Sequence, residues 1–464
     1  MAKLALGGKA VADRRTRTVV PSWLRSWVSG LSMLGHVLLM LAIAAVTTLG
    51  AAWLIWFMLG NGRLPKLNGD TAGLELIKVA LAITAGIGAT VALVVAYRKQ
   101  RLSEAAEKRE RAKHFHERYV TASEQLYSAT AGVRQAGVYA MASLADDWDE
   151  GRQNCIDVLC GYMRMPYTPP EQPVPEGATP QQVAEYERNE REASMDRHVR
   201  RAVMDTIGWK LRAVPVYGNT WHEHIFDLTG AVIDGGDLSG ARIIGGWVKF
   251  DGARFTGKVV RFNDASFSGG FVTFNDATFD SGHVDFRATR FSDVIVDFSG
   301  AKFSGATVSF DEGHFGAMLL DFRNSELTSG FLALTNAEFA GSTVAFDFAQ
   351  LQGGKLGFDN SDFSAGSVGF EATRFGGSSV QFDNSEFTGA AVTFAGAKFL
   401  DGRVTFHNAA FRSPSVGFKY AHFKGATVDL STPNTYTSPP SFDDFPDGVP
   451  EGLILPDPVG PTKD

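Results

Sequence analysis

From Leu238 to Leu430 a large apolar residue returns every twelve positions with hardly a break, and few folds accept such a pattern. One set runs Phe250, Phe262, Phe274, Phe286, Phe298, Phe310, Phe322, Leu334 and Phe346, and continues at the same interval to Phe418. A second stands five residues later, from Phe255 and Phe267 through Leu327 and Leu351 to Phe423. A third, mostly Val, sits two before the first, as at Val248, Val260, Val272, Val284, Val296 and Val308. Fixed self-similarity means stacked units, each too small to bury its apolar face alone.

Within a unit the order is Val-x-Phe, two spacers, then small-x-Phe, with Ala253, Ala265, Ala277, Ala301, Ala337, Ala397, Ala409 and Ala421 at the small position. Alternation of period two puts the small and the large residue on one face of an extended backbone, and both point inward. A helix cannot keep these positions together, while the Gly, Asp and Asn between them suit tight turns. Twelve extended residues reach only about 40 Å, too short for a closed coil around four such side chains. Two units, 24 residues, therefore make one turn. Residues 24 apart then stack at about 4.8 Å, as Leu327 with Leu351 and Leu332 with Leu356 would. Some eight coils follow, a rod on the order of 40 Å long.

The Phe-x-x-Ala-x-Phe units resemble those of pentapeptide repeat proteins, in which a small residue precedes the central Phe or Leu by two. That resemblance implies a right-handed quadrilateral β-helix. Spacing that alternates between five and seven departs from the family's strict five and predicts two longer sides. The family's members do many unrelated things, so the likeness specifies fold far better than function. Some resemble duplex DNA in shape and charge and bind topoisomerases. Here Glu223 to Asp429 holds 24 Asp and Glu against 16 Lys and Arg, a net of −8. A duplex carries one charge per about 1.7 Å, so a rod of this length would need roughly three times as many to match it. Mimicry is thus the runner-up reading, and contact with nucleic acid itself is disfavoured.

Ahead of the repeat two apolar runs, Val37 to Leu59 and Val79 to Tyr97, are each long enough to span about 30 Å of hydrocarbon as helices. Basic residues precede the first (Arg14, Arg15, Arg17, Arg25) and follow the second (Arg98, Lys99, Arg101, Lys108), and by the positive-inside rule both ends are cytoplasmic. The expectation is an α+β membrane protein of the bacterial inner membrane with a two-helix transmembrane hairpin, the lipid bilayer being its first partner. Gly86, Gly88, Ala82, Ala85, Ala89 and Ala92 give the second span a small-residue face suited to packing on the first span or on a second copy.

The order expected is a basic cytoplasmic N-terminus (1–36), two spans (37–97), a helical domain (98–165), a Pro-rich linker (166–178), a capping helix (179–220), the β-helix (221–432) and an acidic Pro-rich tail (433–464). Helical patterns are read from Arg98 to Tyr127, from Val133 to Leu144 with Val133, Ala136, Gly137, Ala140 and Leu144 on one stripe, and from Arg152 to Met163. The segment around Glu124 to Cys160 resembles the helical region before the repeats in membrane-anchored members of the same family. Thr179-Pro180-Gln181-Gln182 is a capping box with Pro at the first helical position. Basic residues toward the C-terminal end of that helix complement its dipole. Trp209, Trp221 and Trp247 are expected to plug the first open coil, and Phe442, Phe445 and Leu453 to lie across the last.

Chemistry is hard to find. His222-Glu223-His224 is the sole local cluster of metal-ligand type, with its histidines on one face of a strand, but no third ligand stands near. Asp251, Asp276, Asp285, Asp297 and Asp321 alternate outward, yet the twelve-residue count leaves no long loop to build a cleft around them. Cys155 and Cys160 read as plain thiols of a helix. No catalytic, cofactor-binding or metal-ligating residue is assigned, and no cofactor. The reading is a non-enzymatic, membrane-tethered solenoid acting as a scaffold for a cytoplasmic protein partner.

Overall fold

The computed structural model describes a few positions between 42 and 57, then residues 71–455 apart from 171–173, 175–176, 215–219, 413–415, 433–434, 437–439 and 446–447. Two compact units divide the chain, 1–113 and 114–464. In the first, helix α1 (Thr71–Leu126) contains both the second apolar run and the charged stretch after it. Its solvated part carries pairs four apart, Gln100 with Glu104 and Glu107 with Arg111. Among the described residues no helix is long and apolar enough to cross a membrane. The first apolar run and the expected hairpin connection lie almost wholly outside those residues, as do several side chains of the second run.

The second unit opens on the end of α1, then α2 (Ala131–Asp147), α3 (Arg152–Met163) and α4 (Pro180–Arg212). Helix α2 buries Gly137, Val138, Met141, Ala142, Leu144 and Ala145, so its core stripe differs from the expected one: Val133 and Ala136 are exposed. The reason is Gly137, whose missing side chain lets the backbone of Leu126 approach; a Cβ there would stand 2.4 Å from the Leu126 nitrogen. Helix α4 starts on the expected capping box, with Thr179 and Gln182 exchanging backbone and side-chain hydrogen bonds.

A β-solenoid of about nine turns follows, built of two parallel sheets of 16 and 15 strands. Partners are 24 residues apart, as in Phe255, Phe279 and Phe303, and the expected Leu327 with Leu351 and Leu332 with Leu356 are paired. The extra turn beyond the eight expected is the first, where Phe226 pairs with Val248 and Ile233 with Phe255 at an interval of 22. Each coil has two long sides, one in each sheet. A side is either one strand of eight residues, such as Glu338–Ala345, or two short ones, such as Arg254–Phe255 and Val259–Arg261. This is the outcome of the five-seven alternation, and it replaces a quadrilateral of equal sides.

Rings fill the interior in two geometries. Those 24 apart stack face to face, Phe274 on Phe298 at 4.4 Å, whereas those 12 apart meet across the coil edge to face, Phe298 with Phe310 at 6.0 Å and 87°. Where the small position is Ser or Thr, its hydroxyl donates to a carbonyl of the preceding coil: Thr373 to Phe346 at 2.6 Å, Ser385 to Phe358 at 2.7 Å. At Thr289, Ser361, Thr373 and Ser385 the inward hydroxyl is thus accommodated in the apolar core without an unmet hydrogen bond.

Every twelfth residue from Gly252 to Tyr420 turns the chain in a left-handed conformation, and most are Gly, Asn or Asp. Ala288, Glu312, Phe348, Ala372 and Tyr420 break the rule, and of these Phe348 (φ 60°) and Tyr420 (φ 59°) carry large exposed rings. A left-handed residue with a Cβ costs roughly 1–2 kcal/mol. Phe348→Gly is therefore expected to raise stability by about 1 kcal/mol, read as a higher denaturant midpoint at unchanged slope; a lower midpoint would mean the ring makes a contact worth more than its strain.

Candidate interaction surface

Both ends of the solenoid are covered by other parts of the chain, which leaves its sides exposed. At the first coil the polar side chains of the helices, not an aromatic plug, meet the open strand edge. Gln153 donates to the Ile225 carbonyl (2.8 Å) and accepts from its N–H (3.0 Å), as a neighbouring strand would. Asp205 accepts from Asp237 N–H at 2.8 Å, and Arg200 and Arg212 donate to the carbonyls of Val232 and Asp237. Apolar Val203, Met204, Ile207 and Leu211 of α4 lie buried. Of the three tryptophans expected to form the plug, Trp221 alone is buried, its indole donating to Asp146, while Trp209 is 62% exposed and Trp247 faces outward. The basic residues of α4 do more than complement a dipole: Arg197 pairs with Asp234 at 2.7 Å and Arg212 with Asp237 at 2.9 Å. At the other end Phe442 stacks on Phe418 at 4.9 Å, Phe445 meets Phe423 edge to face, and Leu453 pairs with Val428, as expected.

The residues singled out for chemistry are not brought together. Glu223 is left-handed, so His222 and His224 flank a turn and share no strand face; each ring nitrogen in contact meets a backbone carbonyl, of Ala213 and of His222. Among the described residues no group of three or more His, Cys, Asp or Glu is placed to hold a metal ion. Asp285 and Asp321 do not stand in solvent as alternation suggests. They are buried beneath Arg287 and Arg323, which fold back two residues along. Burial pushes the Asp285 carboxyl up, but hydrogen bonds from the Arg287 side chain and N–H prevail and hold it below the ordinary carboxylate range.

A cavity of about 900 Å³ lies among the turn before α2, α2, the end of α3, the linker and α4, lined by residues that include Tyr127, Arg134, Tyr162, Tyr186, Asp196 and Arg200. Its charges answer one another: Arg134 approaches Asp196 at 3.5 Å and Arg200 at 3.7 Å, and the Tyr162 hydroxyl donates to the same carboxylate. Burial, then Asp196, pushes the Tyr162 phenol up, away from any role as a base near neutrality. Burial likewise raises the thiols of Cys155 to about 11 and Cys160 to about 12. In the folded protein at pH 8, Cys160 is expected to react with a disulfide reagent at least about a hundredfold more slowly than in denaturant; equal rates would contradict its burial.

What the surface does offer is order. Outward residues of successive coils form columns, because partners are in register. On the first sheet one column reads Ile225, Trp247, Phe271, Ile295, Leu319, Thr343, Ser367, Ala391. Its first half is an exposed stripe of large apolar side chains, Phe271 being 45% exposed and Ile295 37%. Within it Trp247 packs on Phe271, ring centroids 5.5 Å apart and tilted by 43°. Beside it runs a second column, Arg242, Ser266, Arg290, His314, Glu338, Asp362, Glu386 and Ala410. The stripe was legible in the sequence once a period of 24, not 12, is imposed: the positions half a turn away, Val259, His283 and Thr307, show no such run.

No family model, curated protein or solved structure matches the chain.

Proposed function

We propose that this chain is a non-catalytic scaffold, a β-solenoid of the pentapeptide-repeat kind tethered to the inner membrane by its N-terminal helices with both termini cytoplasmic. The observation that carries the interaction role is the exposed apolar stripe of Ile225, Trp247, Phe271 and Ile295, which ends at half-buried Leu319, on a register-locked sheet face. Contiguous apolar patches on soluble surfaces mark contact sites, and here the backbone that bears the stripe is fixed by its ring stacks. Arg242, Arg290, Arg374 and Lys398 interrupt the negative charge of the rod, which favours a protein partner over the duplex mimicry that a uniform anionic surface would serve.

Two experiments test this reading separately. Proximity labelling from the full chain should recover a reproducible set of proteins that is lost when two coils bearing Phe271 and Ile295 are deleted in register; an unchanged set removes the scaffold role. A reporter fused after Asp464 should behave as cytoplasmic, and its export would overturn the topology without touching the scaffold role.

A further inference from the structure

The two columns on the first sheet share a symmetry. Along the charged column the order is Arg242, Ser266, Arg290, His314 and then Glu338, Asp362, Glu386, Ala410, so its sign inverts between residues 314 and 338. Along the apolar column the bulk inverts at the same coil boundary: Trp247, Phe271, Ile295 and Leu319 on one side, Thr343, Ser367 and Ala391 on the other. Two independent properties that reverse about one point are what a face needs to match itself under a two-fold axis.

Resting on the scaffold reading and naming its partner, we infer that a second copy of this chain docks on this face, antiparallel, with the two-fold axis crossing the coils between His314 and Glu338. Such an axis lays each column against itself in reverse. Arg290 then meets Asp362 of the second copy, Ser266 meets Glu386, and His314 meets Glu338. In the neighbouring column Leu319 lies over Thr343, Ile295 over Ser367 and Phe271 over Ala391. Each large side chain faces a small one, so the two sheets can approach evenly, as sheets packed face to face do at about 10 Å. A two-fold axis along the rod would keep the rods parallel but lay the apolar column over the charged one.

Within the single chain Glu338 and Glu386 each have a basic neighbour, whereas Asp362 has a hydrogen bond with Thr388. Glu338, Asp362 and Glu386 stand in adjacent coils, and His314 reaches Glu338 at 2.8 Å while Arg412 approaches Glu386 at 3.6 Å. Burial, then Glu386 and Glu338, pushes the Asp362 carboxyl up, as expected where like charges crowd. Arg290 of a second copy supplies the missing counter-charge. An interface of this kind differs from packing of N-terminal helices, and a register-specific test separates the two.

The test is disulfide trapping in the full chain, whose native Cys155 and Cys160 are buried. With Arg290→Cys and Asp362→Cys together, mild oxidation should give a covalent dimer, and either substitution alone should not, since each cysteine then faces a residue that cannot bond it. No dimer from the pair, or equal dimer from a single variant, overturns the inference. Charge reversal gives a second readout: Asp362→Arg should weaken self-association at least about tenfold in sedimentation equilibrium, and adding Arg290→Asp should restore it. Failure of both, with a partner set in proximity labelling that still depends on the coils, would remove the second copy as partner and leave the scaffold role. Failure of all three would remove both.

Discussion

Phe298→Asp is expected to cost the solenoid several kcal/mol, enough to admit proteases to its middle coils, while Asp297→Asn next to it changes stability by about 0.5 kcal/mol or less. Phe298 is fully buried, stacked on Phe274 and Phe322 and edge-on to Phe310. A carboxylate there has no hydrogen-bond donor among its ring neighbours and breaks the stack in both directions. Because each coil contacts only its neighbours, the damage should open the rod locally, so limited proteolysis should cut first within a coil or two of the substitution. Similar protease resistance in the two variants would show that the inward and outward faces are reversed.

Gly208→Leu is expected to free the cap. A Cβ at residue 208 would sit 2.2 Å from the Asp237 carbonyl oxygen, a backbone atom fixed by its pairing with Arg261, so α4 must lift to admit it. Lifting withdraws Val203, Met204, Ile207 and Leu211 from the core and breaks the Asp205 bond to Asp237. The loss should be about 3 kcal/mol or more, with the first strands newly competent to pair with other chains. Hydrogen exchange checks it: protection of residues 225–262 should fall, while that of residues 374–405 holds. The exposed Met195→Ala on the same helix is the control and should change neither. Intact protection in Gly208→Leu would show that the helix is not what closes the rod.

Most of the solenoid was legible because each unit repeats the same local signal: a Val-x-Phe strand, a left-handed turn residue and a small residue before the next ring. Perimeter alone then forces two units per coil. The first coil was only partly legible: the β-helix is drawn from 221 but the ladder is read from Leu238, because Phe226 with Val248 and Ile233 with Phe255 pair at 22. Its seal was misread for a related reason. Strand edges need hydrogen-bond partners more than apolar cover, so Gln153, Asp205 and Arg212 do what the tryptophans were expected to do. Alternation also told which way Asp285 and Asp321 point but not that an arginine two residues on would cover them. The apolar stripe lay in plain sequence but out of view, because residues 24 apart become neighbours only after the coil length is known.

The surface columns exist only if a coil is 24 residues long, and one distance measures that length. Arg254 and Lys398 are exposed and belong to one column, six coils apart by pairing. Spin labels on Arg254→Cys and Lys398→Cys should give a narrow distribution near about 29 Å, six steps of the inter-strand spacing. A distribution centred near about 58 Å, the value for one unit per turn, or one too broad to define a distance, would contradict the solenoid and every surface drawn on it.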